Sequence, residues 1–316
     1  MTTTIREYLQ SSGVSFRFSQ NRDDFIVDEL PSKKFAKKGN FLILRVKKQD
    51  LSSWEMVDIF ADFLKIPSQK IGLAGLKDKH ATTTQYVSFE AKYEDELRAF
   101  SHKDITILES LKDTTSLSMG ELEANRFSVN LYGLTNIEAG KIEKTARAIA
   151  KNGLPNYFGY QRFGRDGASV KQSHELVDGS LHVKDGKLKS FLYSIYQSHY
   201  FNRWLAHRVK LSLEAESKTL IALEGDVVYG KVITGLLCGR GVKRATKKAR
   251  EIESLYDDEF FQEKGLRREA VVFPKDIACN YKADKKCLNI SFTMPKSSYA
   301  TVFLESILGK NLSVKE

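Results

Sequence analysis

The sequence predicts an α+β fold in which one sheet is built from both ends of the chain, with a more helical segment between them. Strand-like and helix-like stretches alternate through the N-terminal half, at spacings too irregular for a doubly wound nucleotide fold. Around residues 152–167 the texture changes to a close mixture of Gly, Tyr, Phe and Arg. Near the C-terminus, Cys287-Leu288-Asn289-Ile290-Ser291-Phe292 returns to the strand-like pattern of the early segments.

Taken in order, Phe41-Leu42-Ile43-Leu44-Arg45-Val46 reads as a strand of β-branched and bulky residues. Ser52-Ser53-Trp54-Glu55 has capping-box spacing, and Met56, Ile59, Phe60 and Phe63 then fall on one helical face that Pro67 closes off. Gln85–Phe89 reads as a strand. In Arg126–Leu131, Phe127, Val129 and Leu131 alternate onto one face. Thr135-Asn136-Ile137-Glu138 repeats the capping-box spacing ahead of a helix with Ile142, Ala146 and Ile149 on one stripe and Gly153 just past its end. A second long helix, rich in aromatics, is expected over Ser190–Leu211. No internal repeat or low-complexity segment is present.

Composition bounds the function classes. At about 150 residues per domain, 316 residues make one large domain or two ordinary ones. A hydrophobic fraction of 41% with 11% aromatics is enough for a sizeable core and excludes a disordered tail protein. Mean hydropathy is −0.36, and no apolar run approaches the length of a spanning helix. The first residues, Met1-Thr2-Thr3-Thr4-Ile5-Arg6-Glu7, lack the basic-then-apolar pattern of a signal peptide. Cys238, Cys279 and Cys287 include no CxxC pair, so neither a disulfide framework nor a zinc site is expected. A soluble cytoplasmic protein with a basic surface is the expectation.

Fifty Lys and Arg against forty Asp and Glu give a net charge of +10, and the excess is concentrated. Pro31–Gln49 carries seven basic residues (Lys33, Lys34, Lys37, Lys38, Arg45, Lys47, Lys48) and no acidic one. Lys231–Arg250 carries seven more (Lys231, Arg240, Lys243, Arg244, Lys247, Lys248, Arg250), again with no acid. Two such runs match the counterion-displacing footprint of a nucleic-acid binder, while a solvated face that merely keeps the protein in solution is the plainer reading of either run alone. Neither run has an apolar face suited to a membrane surface.

Cofactor signatures are missing. Gly72-x-x-Gly75 and Gly239-x-Gly241 complete neither a Walker loop nor a dinucleotide fingerprint. The six histidines show no HxxxH or HxH spacing, and there is no Gly-x-Ser-x-Gly elbow. One segment stands apart: Gly72-Leu73-Ala74-Gly75-Leu76-Lys77-Asp78-Lys79-His80-Ala81, running into Thr82–Gln85. Asp78 sits between two lysines on a glycine-flanked turn, and neighbouring cations favour its carboxylate form, fit for a nucleophile or base. A solvated turn of mixed charge accounts for the same residues.

That segment resembles the signature of the TruD family of tRNA pseudouridine synthases, approximately Gly-x-Lys-Asp-Lys/Arg-x-Ala. Other landmarks follow in the family's order. Asp24-Phe25-Ile26-Val27-Asp28-Glu29 matches its Asp-Phe-x-Val-x-Glu, and Asn125-Arg126-Phe127 its Asn-x-Phe strand. Pro155-Asn156-Tyr157-Phe158-Gly159-Tyr160-Gln161-Arg162-Phe163-Gly164 matches its Pro-Asn-Tyr-Phe-Gly-x-Gln-Arg-Phe-Gly. Phe201-Asn202 and Gly225-Asp226 resemble marks of its inserted domain, and Met294–Thr301 resembles its Leu-Pro-x-Gly-Ser-Phe/Tyr-Ala-Thr. Ser297 stands where the family often has Gly, and the stretch between Arg165 and Arg268 is short, which implies a trimmed insertion.

The resemblance implies a pseudouridine-synthase fold with a mixed, mostly antiparallel sheet and flanking helices. It implies a discontinuous catalytic domain, 1–152 and 273–316, and a smaller inserted α/β TRUD domain, 153–272. The implied reaction isomerises a uridine of tRNA, expected at U13 of the D arm, and needs no cofactor or metal; the implied partner is tRNA, with a monomeric enzyme favoured. By carry-over Asp78 is the catalytic carboxylate, attacking the sugar, adding to the ring or deprotonating the sugar. Phe25, Asn125 and Tyr299 would contact the base, and Lys79, Arg162 and Arg165 would hold phosphates or steady Asp78. The family's basic residue shortly before Asp-Phe has no clean match: Arg17 and Arg22 are the nearby candidates, with Ser19 at the position as the other alignment. A non-catalytic RNA-binding protein using the same basic cleft is the alternative; a methyltransferase would need a cofactor loop that the sequence lacks.

Overall fold

A computed structural model describes residues 6–164 and 167–312. The strands of the N-terminal half are β1 (Phe25–Pro31), β2 (Phe41–Gln49), β3 (Gly72–Leu73), β4 (Thr82–Glu90), β5 (Ile105–Asp113) and β6 (Leu122–Tyr132). Later come β7 (Leu154–Pro155), β8 (Val228–Tyr229), β9 (Val232–Leu237), β10 (Leu266–Glu269), β11 (Val271–Val272), β12 (Lys275–Lys282) and β13 (Cys287–Pro295). The helices are α1 (Ser53–Leu64), α2 (Glu94–Arg98), α3 (Asn136–Asn152), α4 (Ala168–Val177), α5 (Gly186–Glu214), α6 (Lys247–Glu253) and α7 (Ala300–Leu308).

Contacts divide the chain into two units: Phe16–Ala139 with Lys275–Ser297, and the remainder, Gly140–Pro274 with both termini. The first unit holds an eight-stranded sheet in the order β12-β13-β6-β1-β4-β2-β5, with β3 added beside β4. Only the β1–β4 pairing is parallel among those described; the rest are antiparallel. The sheet is thus mixed and mostly antiparallel, and its edge is completed by strands from residues 275–295, as the return of strand pattern near the C-terminus predicts.

Period-two burial explains the sheet's inner face. Leu42, Leu44 and Val46 of β2 and Val87 and Phe89 of β4 are buried, and Met56, Val57 and Phe60 of α1 close over them. Across β1, β6 and β13 the same face carries Phe25, Val27, Phe127, Val129, Ile290 and Phe292, with Phe127 and Phe292 stacked at 5.4 Å. Each such side chain contributes roughly 1.5–3 kcal/mol on burial. The Ser52 capping box forms as read, with Ser52 and Glu55 each satisfying the other's backbone N–H. The buried stripe of α1 is turned slightly from the expected one: Ala61 is buried, whereas Phe63 remains 43% exposed and meets Phe100 edge-on at 5.1 Å. The helix ends at Lys65 in the left-handed region, two residues before Pro67. Thr135 and Glu138 cap α3 reciprocally, and Ile142, Ala146 and Ile149 are fully buried.

In the second unit α5 begins at Gly186 rather than Ser190, because the Asp185 carboxylate accepts from the N–H groups of Lys187 and Leu188. Its aromatic face supports a three-stranded sheet, β10-β9-β8. The approach is close: a Cβ at Gly235 of β9 would lie 2.2 Å from the Trp204 ring. The Gly225-Asp226 landmark is structural. Asp226 accepts two hydrogen bonds from the buried Arg208, at 2.7 and 2.9 Å, and Gly225, at φ +91°, lies against the Thr246 carbonyl where a Cβ would clash. No helix among the described residues is long and apolar enough to cross a membrane.

Candidate active site

Asp78 lies on the turn between β3 and β4, where the backbone makes few ladder hydrogen bonds of its own. Side chains from beneath hold it residue by residue. The Gly75 carbonyl faces Gln85 Nε2 at 3.5 Å; the Lys77 N–H donates to Ser53 Oγ at 2.8 Å, and Ser53 in turn donates to Gln85 Oε1 at 2.8 Å. The Lys77 ammonium turns inward to a buried ion pair with Glu29, whose other oxygen accepts the Tyr86 N–H at 3.0 Å. Lys48 Nζ donates to the Asp78 carbonyl at 2.9 Å. On the outer side Lys79 pairs with Glu55 at 2.6 Å and holds that carboxyl down to about 2.

The electrostatics of Asp78 differ from the expectation. Its flanking lysines are each committed to another carboxylate, Lys77 to Glu29 and Lys79 to Glu55, so they are not its main counter-charges. The Asp78 carboxyl is half-buried, and that burial raises its pKa above the ordinary value. Lys48, its own backbone N–H, the side chain of Gln20 and Lys77 oppose the rise without cancelling it. Arg17 and Arg22 are engaged elsewhere. The Arg17 backbone exchanges hydrogen bonds with Tyr132 and its guanidinium lies beside Gly133, and the Arg22 guanidinium lies 3.7 Å from Asp50.

The Asp24–Glu29 motif has a mechanical explanation. Asp24 anchors the start of β1, accepting from Tyr132 Oη at 2.5 Å, Asn130 Nδ2 at 3.1 Å and Asn21 Nδ2 at 2.9 Å; these bonds lower its pKa despite partial burial. Phe25 is 1% exposed and packs on Phe18 and Phe127 at 5.9 and 6.0 Å, so its ring lies in the core rather than on an open surface. Glu29 closes the motif by gripping Lys77. Asn125 stands opposite Glu29 and Met294, half-buried, and its Oδ1 is buried with no hydrogen-bond donor among the described residues. Its capacity to accept is left unused within the described residues.

Tyr299 and Arg162 belong to the second unit and meet around Phe158. Tyr299 is half-buried at the start of α7, its ring 6.3 Å from Phe158 and laid on Gly159 so closely that a Cβ there would come within 2.7 Å of it. Asn202 fixes Phe158 by bonding both its N–H and its carbonyl, at 2.8 and 2.9 Å, which accounts for the Phe201-Asn202 landmark. The Arg162 guanidinium faces Phe158 and Phe191 at 5.7 and 5.4 Å and donates to Ser194 Oγ at 2.7 Å; Arg268 lies 4.0 Å over Phe158. Burial lowers the basicity of both, Arg268 to about 10. Arg165 lies outside the described residues. Ser297, at φ +64°, occupies the left-handed backbone that explains why glycine suits this position.

The basic runs are less uniform than they read. Arg244 and Arg250 both bond Asp257, and Lys247 pairs with Glu224, whereas Lys231, Arg240, Lys243 and Lys248 remain exposed. In the first run Lys33 pairs with Asp113 and Lys48 is wholly buried, while Lys34, Lys37 and Lys38 are exposed. Cys238 is buried and its thiol is pushed up to about 12, which removes it as a nucleophile at neutral pH.

The Glu29–Lys77 pair ties the turn to β1. Lys77→Met leaves the Glu29 carboxylate buried without its cation and should lower the urea unfolding free energy by about 3–5 kcal/mol, most of which a paired Glu29→Leu restores. A single-variant loss under about 1 kcal/mol would show that the pair does not anchor the turn.

Comparison with known proteins gives one answer. The family model for tRNA pseudouridine synthase D (TruD) matches residues 3–177. Curated relatives named tRNA pseudouridine synthase D include that of Sulfurimonas denitrificans, 35% identical over 96% of this chain and 98% of the relative, and that of Wolinella succinogenes, 34% identical over 97% and 98%. Among solved structures, a protein described as tRNA pseudouridine synthase D from Methanosarcina mazei superposes with a TM-score of 0.71 over 98% of this chain and 97% of its own; at 21% identity this likeness speaks for the fold. With a family model covering more than half of its length and relatives of this similarity along nearly all of it, the chain belongs to the tRNA pseudouridine synthase D (TruD) family.

Proposed function

We propose that this protein, a member of an isomerase family, converts a uridine of tRNA, U13 of the D arm, to pseudouridine with Asp78 as the catalytic carboxylate. The N1–C1′ glycosidic bond breaks, the uracil turns, and a C5–C1′ bond forms; the proton lost from C5 is balanced by one gained at N1. Nothing is oxidised and no group is imported. The observation that carries the assignment is the half-buried Asp78 carboxyl, held on a turn clamped from below by Ser53, Lys77 and Lys48. A carboxylate stripped of part of its water has a raised proton affinity and is a stronger base and a stronger nucleophile alike, which serves each of the three routes open to it.

The target uridine has to leave its stack to be reached. Asn125 Oδ1 is suited to accept the uracil N3–H, and the half-buried Tyr299 ring to stack on the base, worth about 1–3 kcal/mol. Arg162 and Lys79 are assigned to the RNA backbone. Phe25, the third residue the resemblance puts at the base, is buried at the start of β1. We assign 1–152 with 273–316 to the catalytic domain and 153–272 to the inserted TRUD domain, with a monomeric cytoplasmic enzyme as the working form.

Asp78→Asn should keep the fold and tRNA affinity while lowering single-turnover pseudouridine formation by more than a hundredfold. A rate within tenfold of the parent would favour the non-catalytic RNA-binding reading. Replacing Arg240, Lys243 and Lys248 together by Gln should flatten the slope of log K against log[salt] for tRNA by about 2, at roughly 0.7–0.9 per phosphate contact. An unchanged slope assigns these three to a solvated face.

A further inference from the structure

One lysine of the first basic run behaves unlike its neighbours. Lys48 continues the inward face of β2 after Leu42, Leu44 and Val46, and it is 0% exposed. Its Nζ makes two hydrogen bonds, both to main-chain carbonyls, those of Leu51 and Asp78, and it forms no salt bridge with a carboxylate among the described residues. An ammonium buried without a paired carboxylate is costly, and the alternation of this strand calls for an apolar side chain at the position. The compensation lies in the charge it acts on: the Asp78 carboxylate is the strongest favourable charge acting on Lys48, and Lys48 the strongest acting on Asp78.

The other groups around it are neutral or committed. On the turn, Lys77 is taken by Glu29 of β1. On α1, Glu55 is taken by Lys79 and the Ser52 N–H. β4 presents the uncharged Thr83, directly opposite Lys48, and Gln85, while β5 presents Ile105. From the segment before β1 the side chain of Gln20 reaches Asp78, whereas the Arg17 guanidinium lies beside Gly133 and the Arg22 guanidinium lies 3.7 Å from Asp50.

We propose that Lys48 is a positioning residue for the reaction, supplying from β2 the buried cation that fixes the Asp78 carbonyl and holds the Asp78 carboxyl in its charged form. The proposal rests on Asp78 being the reactive carboxylate. Burial brings Lys48 itself down to about 8, so it is protonated at neutral pH. Removing the cation raises the proton affinity of Asp78. The acid limb of the rate profile, along which activity climbs as Asp78 ionises, then moves to higher pH.

The test is single-turnover pseudouridine formation on tRNA from the lowest pH at which each protein stays folded up to pH 8, for the parent and for Lys48→Met, Lys48→Gln and Lys48→Arg, with each rate referred to the folded fraction. Lys48→Met and Lys48→Gln should move the midpoint of the acid limb up by about 1 unit, and Lys48→Arg should return it toward the parent value. An acid limb unmoved in both neutral variants, or moved equally in Lys48→Arg, overturns the proposal; Lys48→Gln decides the matter if Lys48→Met fails to fold. If Asp78→Asn retains activity, the reading of Asp78 falls first; if it does not and the limb stays fixed, only the role of Lys48 falls.

Discussion

The constraint on which this structure depends is that a carboxyl has to be kept partly out of water on a turn that cannot hold itself. A turn satisfies few of its own backbone groups, and partial burial of Asp78 favours its neutral form. Both problems are met by the inner face of the sheet. Where the apolar stripes would otherwise continue beneath the turn, the end of β2, the second half of β1 and the start of β4 carry Lys48, Glu29, Thr83 and Gln85, all buried. Glu29 holds Lys77, Gln85 and Ser53 hold the backbone of the turn, and Lys48 holds Asp78 itself.

The parallel β1–β4 pairing makes this arrangement available. Because β4 runs beside β1 in the same direction, with β2 and α1 formed between them in the chain, the turn entering β4 lies over the strand that carries Glu29 and beside the first turn of α1. The capping box at Ser52 therefore does two things. It starts the helix, and it fixes Ser53 and Glu55 where they receive the Lys77 N–H and the Lys79 ammonium. In the second unit Gly159 gives the Tyr299 ring room, and Asn202 holds Phe158, the ring around which Tyr299, Arg162 and Arg268 gather.

Much of this was legible in local sequence. The capping boxes at Ser52 and Thr135, the alternation of β6 and the return to strand pattern at Cys287 are short-range signals, and each is met in the structure. The partners of charged residues were not legible, because they lie far apart in the chain: Lys77 with Glu29, Arg244 and Arg250 with Asp257. Adjacency alone makes the flanking lysines the counter-charges of Asp78, and long-range pairing removes them from that task. A count of charge along the chain places Lys48 with the other members of its basic run. The period of two through Leu42, Leu44 and Val46 places it inward, and that was the signal that would have found it. The exclusion of Phe25 from the surface follows from the same alternation along β1, through Phe25, Val27 and Glu29.

Asp78 is a carboxyl partly withdrawn from water rather than one side chain of a solvated turn. Carbon-13 NMR titration of the Asp78 carboxyl in the folded protein, assigned by difference against Asp78→Asn, measures this directly. The account predicts a midpoint above the ordinary aspartate value of 3.8. A midpoint at or below that value would describe an exposed carboxylate among lysines and contradict it.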